Sequence, residues 1–329
     1  MKNKELNDLV ELCRFYGERA DLVQGPGGNI SVKTNDGLML IKASGCALSS
    51  VSDVSNTVIY ITELAGDVKD NKYRPLEEYS PSYSSRASME TYMHSFLYKY
   101  VVHLHPIQVN SILVQKDARK ICQELFPTAL FLDYVTPGVK LAKKLKKEWN
   151  GEQVILLANH GIVVTLGDLS GVKKLVKQVL KTCEEYLGTS FDKYENVNKI
   201  SSLISNLTGE SCVTYCSEVE FSDTFVFEES GSSLFPDKVI FCGSKFLICD
   251  KLNKETFQKF IHENGCAPKV IRYDSETYFT GKSLSKCRDA EAILLANANL
   301  YSNSILKSLT AAQENELVNM ESEKYRSKL

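Results

Sequence analysis

The stretch Tyr100-Val101-Val102-His103-Leu104-His105-Pro106 constrains this chain more than any other. Its apolar start reads as a buried strand, and strand side chains alternate faces, so His103 and His105 share one face. Two imidazoles one strand repeat apart make half of a metal site. A second apolar run, Val154-Ile155-Leu156-Leu157-Ala158, ends in Asn159-His160-Gly161 and puts a third imidazole at a strand end. The chain holds only five histidines, so three at strand positions suited to one cluster form a pattern rather than a scatter. Three neutral nitrogen ligands with an open position is the arrangement of a catalytic Zn²⁺ or a similar divalent ion. Upstream, Glu90 sits on an expected helix with His94 four residues on. A carboxylate beside an open metal site is a candidate general base.

Bulk properties narrow the classes of function. A chain of 329 residues, 43% hydrophobic, can bury a substantial core, and its length fits about two domains. A net charge of −2 offers no basic surface for a polyanion, so nucleic acid is not an expected partner. The ten cysteines are scattered, Met1 to Glu11 is polar, and no apolar run approaches membrane-spanning length. Reduced thiols in a cytoplasmic protein that binds no membrane are the expectation. Cys212 and Cys216 stand four residues apart with no partner pair, a poor match for a structural zinc.

In chain order, Leu6, Leu9, Val10, Cys13 and Tyr16 form an apolar stripe that predicts a helix over 3–20. Gly25-Pro26-Gly27-Gly28-Asn29 then leads into the strand Ile30-Ser31-Val32, which turns at Asn35-Asp36-Gly37 into Leu38 to Lys42. That second strand ends in Ala43-Ser44-Gly45. Two glycine-bearing turns beside Asn29, Lys42 and Ser44 can present amides, a hydroxyl and a cation to a phosphate. Neither common nucleotide motif fits. Position 30 is Ile and the loop leads into a strand, which breaks the dinucleotide fingerprint, and Gly281-Lys282-Ser283 lacks the upstream glycine of a P-loop. Further expected elements are a strand at 57–61, a helix from Ser84 or Ser85 to about Leu97, and a helix at 107–124. They continue with a strand at 130–132, a helix at 137–147, and a long helix to Leu187 capped by Asp168 or Ser170. A polar linker is expected near 190–210. Beyond it, strands are expected at 223–227, 238–241, 246–249 and 269–273, with helices at 254–264, 284–305 and 310–328. His262 reads as solvated surface.

Five of these pieces, in order, resemble the class II aldolase/adducin family, the fold of fuculose- and rhamnulose-1-phosphate aldolases and ribulose-phosphate 4-epimerase. They are Gly27-Gly28-Asn29-Ile30-Ser31, Ile41-Lys42-Ala43-Ser44-Gly45, Ser88-Met89-Glu90 with His94, His103-Leu104-His105-Pro106, and Asn159-His160-Gly161. The resemblance covers residues 1 to about 190. Pro137-Gly138 with Leu141-Ala142, and Glu323-Lys324-Tyr325-Arg326, are similar to long forms of the family. It implies a class II aldolase-like αβα catalytic domain at 1–205 around a mainly antiparallel sheet. The strands and helices expected beyond it read as a smaller α/β domain at 206–329, so the chain as a whole is α/β. The role of that second domain lies outside the resemblance.

The resemblance also implies a chemistry. His103, His105 and His160 become metal ligands, with Zn²⁺ favoured and Mn²⁺ or Co²⁺ able to substitute. Glu90 becomes a reversible ligand and the acid/base. Gly28, Asn29, Ser44, Gly45 and Ser88 hold the substrate phosphate. The implied activity is that of a metal-dependent aldolase acting on a sugar phosphate or nucleotide-linked sugar through an enediolate, in a homotetramer. Alternatives are an epimerase with the same core chemistry, or a non-catalytic adducin-like interaction module, which loses the ligand histidines. Two departures stand out: the interval from Glu90 to His103 is shorter than in short-form aldolases, and no position clearly matches the family's general acid. Glu124 and Tyr134 are the nearest candidates for that role.

Overall fold

The computed structural model of the chain describes residues 4–51, 56–80, 86–221, 233–300 and 306–320. The chain divides into two compact units, Met1–Phe191 and Asp192–Leu329. The first unit runs α1 (Lys4–Gly17), β1 (Asn29–Lys33), β2 (Leu38–Lys42), β3 (Asn56–Tyr60), α2 (Ile61–Lys69) and α3 (Thr91–Phe96). It continues with β4 (Tyr100–Leu104), α4 (Ile107–Leu113), α5 (Ala118–Leu125), β5 (Leu130–Leu132) and α6 (Val139–Glu148). β6 (Val154–Leu157), β7 (Gly161–Leu166) and α7 (Leu169–Leu187) complete it.

Its seven strands form one sheet in the order β3-β2-β1-β4-β7-β6-β5, antiparallel at every step except β5–β6. The strand bearing His103 is therefore central, paired on one side with β1 and on the other with β7. The alternation along β4 explains why both faces are dry. Tyr100, Val102 and Leu104 join the apolar layer beneath α1, α4, α5 and α7, with Leu9, Leu12, Ile112, Ile121 and Val176. Val101 joins the opposite layer beneath α2, α3 and α6, with Leu64, Val68, Met93, Leu141 and Leu145. A central sheet whose strands are apolar on both faces needs helices on both, and the αβα sandwich supplies them.

The second unit begins with α8 (Asp192–Thr208) and β8 (Val213–Cys216), followed by β9 (Leu247–Ile248) and α9 (Lys254–Asn264). β10 (Val270–Tyr273), β11 (Glu276–Gly281), α10 (Leu284–Ala298) and α11 (Ala311–Asn319) follow. Among the described residues its sheet has four strands in the order β8-β11-β10-β9, with β9 and β10 parallel. Parallel neighbours need a crossover, and α9 provides it. Val213, Val270, Phe279, Cys287 and Leu294 lie in its core. His262 is exposed, in keeping with its position on the outer face of α9.

Several expected elements differ. The break between units falls at Phe191, not near 205, because 192–208 is a helix and not a linker. Tyr194, Val197, Ile200, Ser201 and Ile204 make its buried stripe, which the intervening polar residues conceal in the sequence. Ile61, Leu64 and Val68 likewise make α2 a helix, starting at the last residue of the expected strand and absent from the expected elements. The expected helix at 107–124 is two helices, and the bend lets both Ile112 and Ile121 reach the same apolar layer. Residues 238–242 form a turn of π-helix rather than a strand, since a short apolar run has no periodicity that separates the two. β8 and β11 were not foreseen. The expected strand at 223–227 and the expected caps Ser84 and Ser85 lie outside the described residues. Asp168 does cap α7, accepting from the Gly171 amide at 2.7 Å. Among the described residues no helix is long and apolar enough to cross a membrane.

The end of α1 tests the packing. A Cβ on Gly17 would stand 2.2 Å from the Ser49 backbone nitrogen and 2.5 Å from the Leu48 carbonyl carbon. Gly17→Ala is therefore expected to destabilise the first unit by about 1–3 kcal/mol through overpacking, read as a lowered midpoint in urea denaturation with an unchanged m-value.

Candidate metal centre

β1, β4 and β7 bring the site together. Asn29, at the start of β1, pairs directly with His103 on β4, whose other neighbour is Val163 on β7. His105 follows β4 by one residue, and its backbone N–H donates to the Leu22 carbonyl at 3.0 Å. His160 sits in the turn between β6 and β7. There Asn159 takes φ 54°, a left-handed conformation that Asn tolerates better than most residues. Glycine is required where the backbones close in. A Cβ on Gly161 would stand 2.2 Å from the Leu104 carbonyl oxygen and 3.0 Å from the His105 ring. Gly28, at φ 66°, meets the His103 carbonyl oxygen in the same way at 2.9 Å. The glycine loop is thus shaped by the histidine strand it covers.

The three imidazoles converge. Their ligand nitrogens all lie within 4.8 Å of one another, and ring centroids are 4.8 to 5.1 Å apart. His103 is fully buried, and its Nδ1 lies 2.9 Å from the Ile162 carbonyl oxygen. That contact makes Nδ1 the proton-bearing nitrogen and leaves the Nε2 lone pair facing the other rings. His103 Nε2 and His105 Nε2 are 3.0 Å apart. Two nitrogens this close repel unless a proton or a cation stands between them. Zn–N bonds of about 2.0–2.1 Å at tetrahedral angles separate ligand nitrogens by about 3.3 Å, so the donor set fits a zinc-sized ion.

Glu90 closes the group. Its Oε2 lies 3.3 Å from His103 Nε2 and accepts from Asn29 Nδ2 at 2.7 Å. Its Oε1 lies 3.5 Å from His160 Nε2 and is buried with no hydrogen-bond partner among the described residues. An orphaned carboxylate oxygen costs about 1–3 kcal/mol or more when nothing satisfies it, so its place beside three clustered imidazoles is a second sign of a cation site. Glu90 is not inside a helix, as the sequence implied, but directly precedes α3, where its side chain makes no capping hydrogen bond and instead reaches Asn29 and His103.

The expected phosphate-binding residues form a connected rim. Asn29 Nδ2 also reaches Ser88 Oγ at 3.4 Å, and Ser88 Oγ accepts from the Glu90 amide at 3.3 Å. A bridge between Ala43 and Ala87 holds the Ser44-Gly45 turn beside Ser88, and the Ser44 amide donates to the Arg86 carbonyl at 2.7 Å. Lys42 is buried and its ammonium donates to Pro26 O at 2.9 Å and Cys46 O at 2.7 Å. It clamps the two glycine turns together, whereas the sequence offered it only as a free cation for a ligand. His94 stands apart, fully buried, with Nδ1 2.7 Å from Ser31 Oγ. Glu124 and Tyr134 are exposed, outside this group.

Fold and site together define a protein with a three-histidine, one-carboxylate centre built on the central strands of an αβα sandwich. The chain belongs to the family described as Class II Aldolase and Adducin N-terminal domain, whose model matches residues 7–187. It is 25% identical over 215 residues to the uncharacterized oxidoreductase YuxG of Bacillus subtilis, covering 58% of this chain and 31% of that protein. It is 28% identical over 179 residues to the 3-oxo-tetronate 4-phosphate decarboxylase of Haemophilus influenzae, covering 51% of this chain and 79% of the relative. The chain therefore spans less than a third of the length of the Bacillus relative. The N-terminal class II aldolase domain of a conserved Thermoplasma acidophilum protein shares its fold at TM-score 0.52 and 24% identity, covering 57% of this chain and 95% of that one.

Burial sets the protonation of the centre. It pushes His103, His105 and His160 each down to about 4 and His94 well below the ordinary histidine range. All are neutral near pH 7, as metal ligation requires. Because the folded values lie below the unfolded value of about 6.5, the unfolded state binds more protons in this range. The stability they contribute is fully present above pH 6.5 and is lost as pH falls through about 4. Urea denaturation of the metal-free protein is expected to show a falling midpoint from pH 6.5 to 4.5. The fall should be shallower when His103, His105 and His160 are all replaced by Asn.

Proposed function

We propose that this chain is a metal-dependent lyase that breaks or forms a C–C bond in a phosphorylated sugar, with Glu90 as the proton-transfer group. The observation that carries it is the unpartnered Glu90 Oε1, held by Asn29 beside three neutral imidazoles. A divalent ion held by His103, His105 and His160, most suitably Zn²⁺, supplies Lewis-acid polarisation of a substrate carbonyl when bound. In the synthetic direction Glu90 Oε1 takes a proton from the carbon beside that carbonyl. In the cleavage direction the hydroxyl on the departing carbon gives its proton to solvent as that fragment leaves as an aldehyde. The electron pair of the broken C–C bond stays on the carbon beside the carbonyl, and Glu90 delivers a proton there, so one proton is lost and one gained; the synthetic direction reverses each transfer. Asn29 fixes the carboxylate against the sheet. Gly28, Asn29, Ser44, Gly45 and Ser88 hold the phosphate and so set the distance from substrate anion to reacting carbon.

The Haemophilus relative favours a second reading on the same centre: loss of carboxylate as CO₂ from a phosphorylated 3-oxo sugar acid, with Glu90 again returning the proton. Epimerisation through C–C cleavage and rejoining would use the same groups. Incubating the zinc-loaded protein with ketose phosphates, 3-oxo sugar-acid phosphates and nucleotide sugars, followed by mass spectrometry, separates these. Aldehyde release supports aldol cleavage, CO₂ release supports the second reading, and turnover of none of them refutes both.

Glu90 and the histidines should separate in mutants. Glu90→Gln is expected to keep about one zinc per chain while turnover falls by about 10²–10⁴-fold, the usual worth of a positioned proton-transfer group. His105→Ala is expected to lose both metal and activity, since two imidazoles remain. Elemental analysis and steady-state rates check the pair, and near-wild-type turnover in Glu90→Gln would remove Glu90 from the chemistry. A tetramer is the expected assembly. Light scattering at micromolar concentration tests it, and a strict monomer would count against it.

A further inference from the structure

The two ends of the histidine group come from different loops, and one short helix touches both. α4 starts two residues after His105, at Ile107, whose N–H donates to the Asp21 carbonyl at 2.8 Å. Asn110, one turn along, donates from Nδ2 to the His160 carbonyl at 3.2 Å. At the end of α4 the Leu113 carbonyl accepts from the Asn159 amide at 3.2 Å. The same helix therefore follows one ligand directly and grips the turn that carries another.

What anchors α4 is a buried polar chain. Gln108, fully buried, donates from Nε2 to Asp21 Oδ2 at 3.1 Å and to Glu184 Oε1 on α7 at 3.2 Å. Asp21, also fully buried, is held by Arg19 through two contacts, Nε to Oδ1 at 3.0 Å and Nη2 to Oδ2 at 2.6 Å. Val109, Ile112 and Leu113 pack the other side of α4 into the apolar layer. The segment 19–22 meets both the helix and the ligand strand, since Leu22 O receives the His105 amide and Asp21 O receives the Ile107 amide. The helix cannot slide without breaking hydrogen bonds buried away from water, each costly to leave unmade.

We propose that α4 is a spacer that fixes the separation of His105 and His160, with Gln108 and Asn110 as positioning residues for the metal centre. The proposal rests on the assignment of His103, His105 and His160 as ligands. Groups behind metal ligands are worth about 10–100-fold in metal affinity when removed, because a ligand held slightly off its angle binds weakly.

Asn110→Asp is nearly isosteric and turns the donor toward His160 O into an acceptor. Gln108→Leu removes both of its donors at similar volume. The test is Co²⁺ titration of the full chain, read by the visible d–d spectrum and by competition with a chelator, beside urea denaturation of the metal-free proteins. Weakening of Co²⁺ affinity by about 10-fold or more with an altered d–d spectrum in Asn110→Asp, whose metal-free fold is retained, supports the spacer role. Unchanged affinity and spectrum in both variants, with only a lowered denaturation midpoint, would make α4 ordinary packing and overturn it. If the wild-type chain binds no Co²⁺, the ligand assignment fails and the proposal falls with it. The wild-type titration thus separates the two failures.

Discussion

Everything at this site depends on β4 being hydrogen-bonded on both edges. Pairing with β1 on one side puts Asn29 beside His103, and pairing with β7 on the other puts Ile162 within reach of the His103 ring. Register in a sheet buried on both faces is strongly specified, because a one-residue slip would turn Val102 and Leu104 out of one apolar layer and His103 into it. The packing of hydrophobic residues thereby fixes polar atoms to within hydrogen-bonding distance. The centre follows from the register of three strands.

Burial does more than hold the groups in place. It strips water from four histidines and keeps them neutral, which leaves basic residues with lone pairs fit for a cation or a hydrogen bond. It also leaves Glu90 with one oxygen held by Asn29 and one unpartnered. A carboxylate divided in this way is anchored and still has a lone pair to use. Lys42 is the counterpart on the rim, spending its donors on two backbone carbonyls so that the glycine turns keep a fixed spacing. The charged groups Lys42 and Glu90 thus take part in fixing the geometry of the centre.

Much of this was legible in the sequence, and for a physical reason. The strand period of two puts His103 and His105 on one face, and an apolar run ending in Asn-His-Gly marks a strand end. These signals are local. The family match over residues 7–187 agrees with the five spaced motifs. Where signals were mixed, expectation and structure part: α8 and α2 bury stripes diluted by polar neighbours, and residues 238–242 carry no usable period. Glu90 was found as a residue but placed inside a helix that in fact begins after it.

The sequence by itself determined the inventory: one histidine on a strand and two at strand ends, a carboxylate, two glycine turns, and helices enough to cover a sheet. Only the tertiary structure decided how they are held. That Asn29 grips Glu90, that Lys42 ties Pro26 to Cys46, and that Gln108 joins Asp21 to Glu184 are contacts between residues 4 to 87 positions apart. Periodicity reports which face a residue occupies, not which side chain from another strand or helix arrives beside it. The long-range partners are set by sheet order and by packing two helical layers onto it, which no local spacing records.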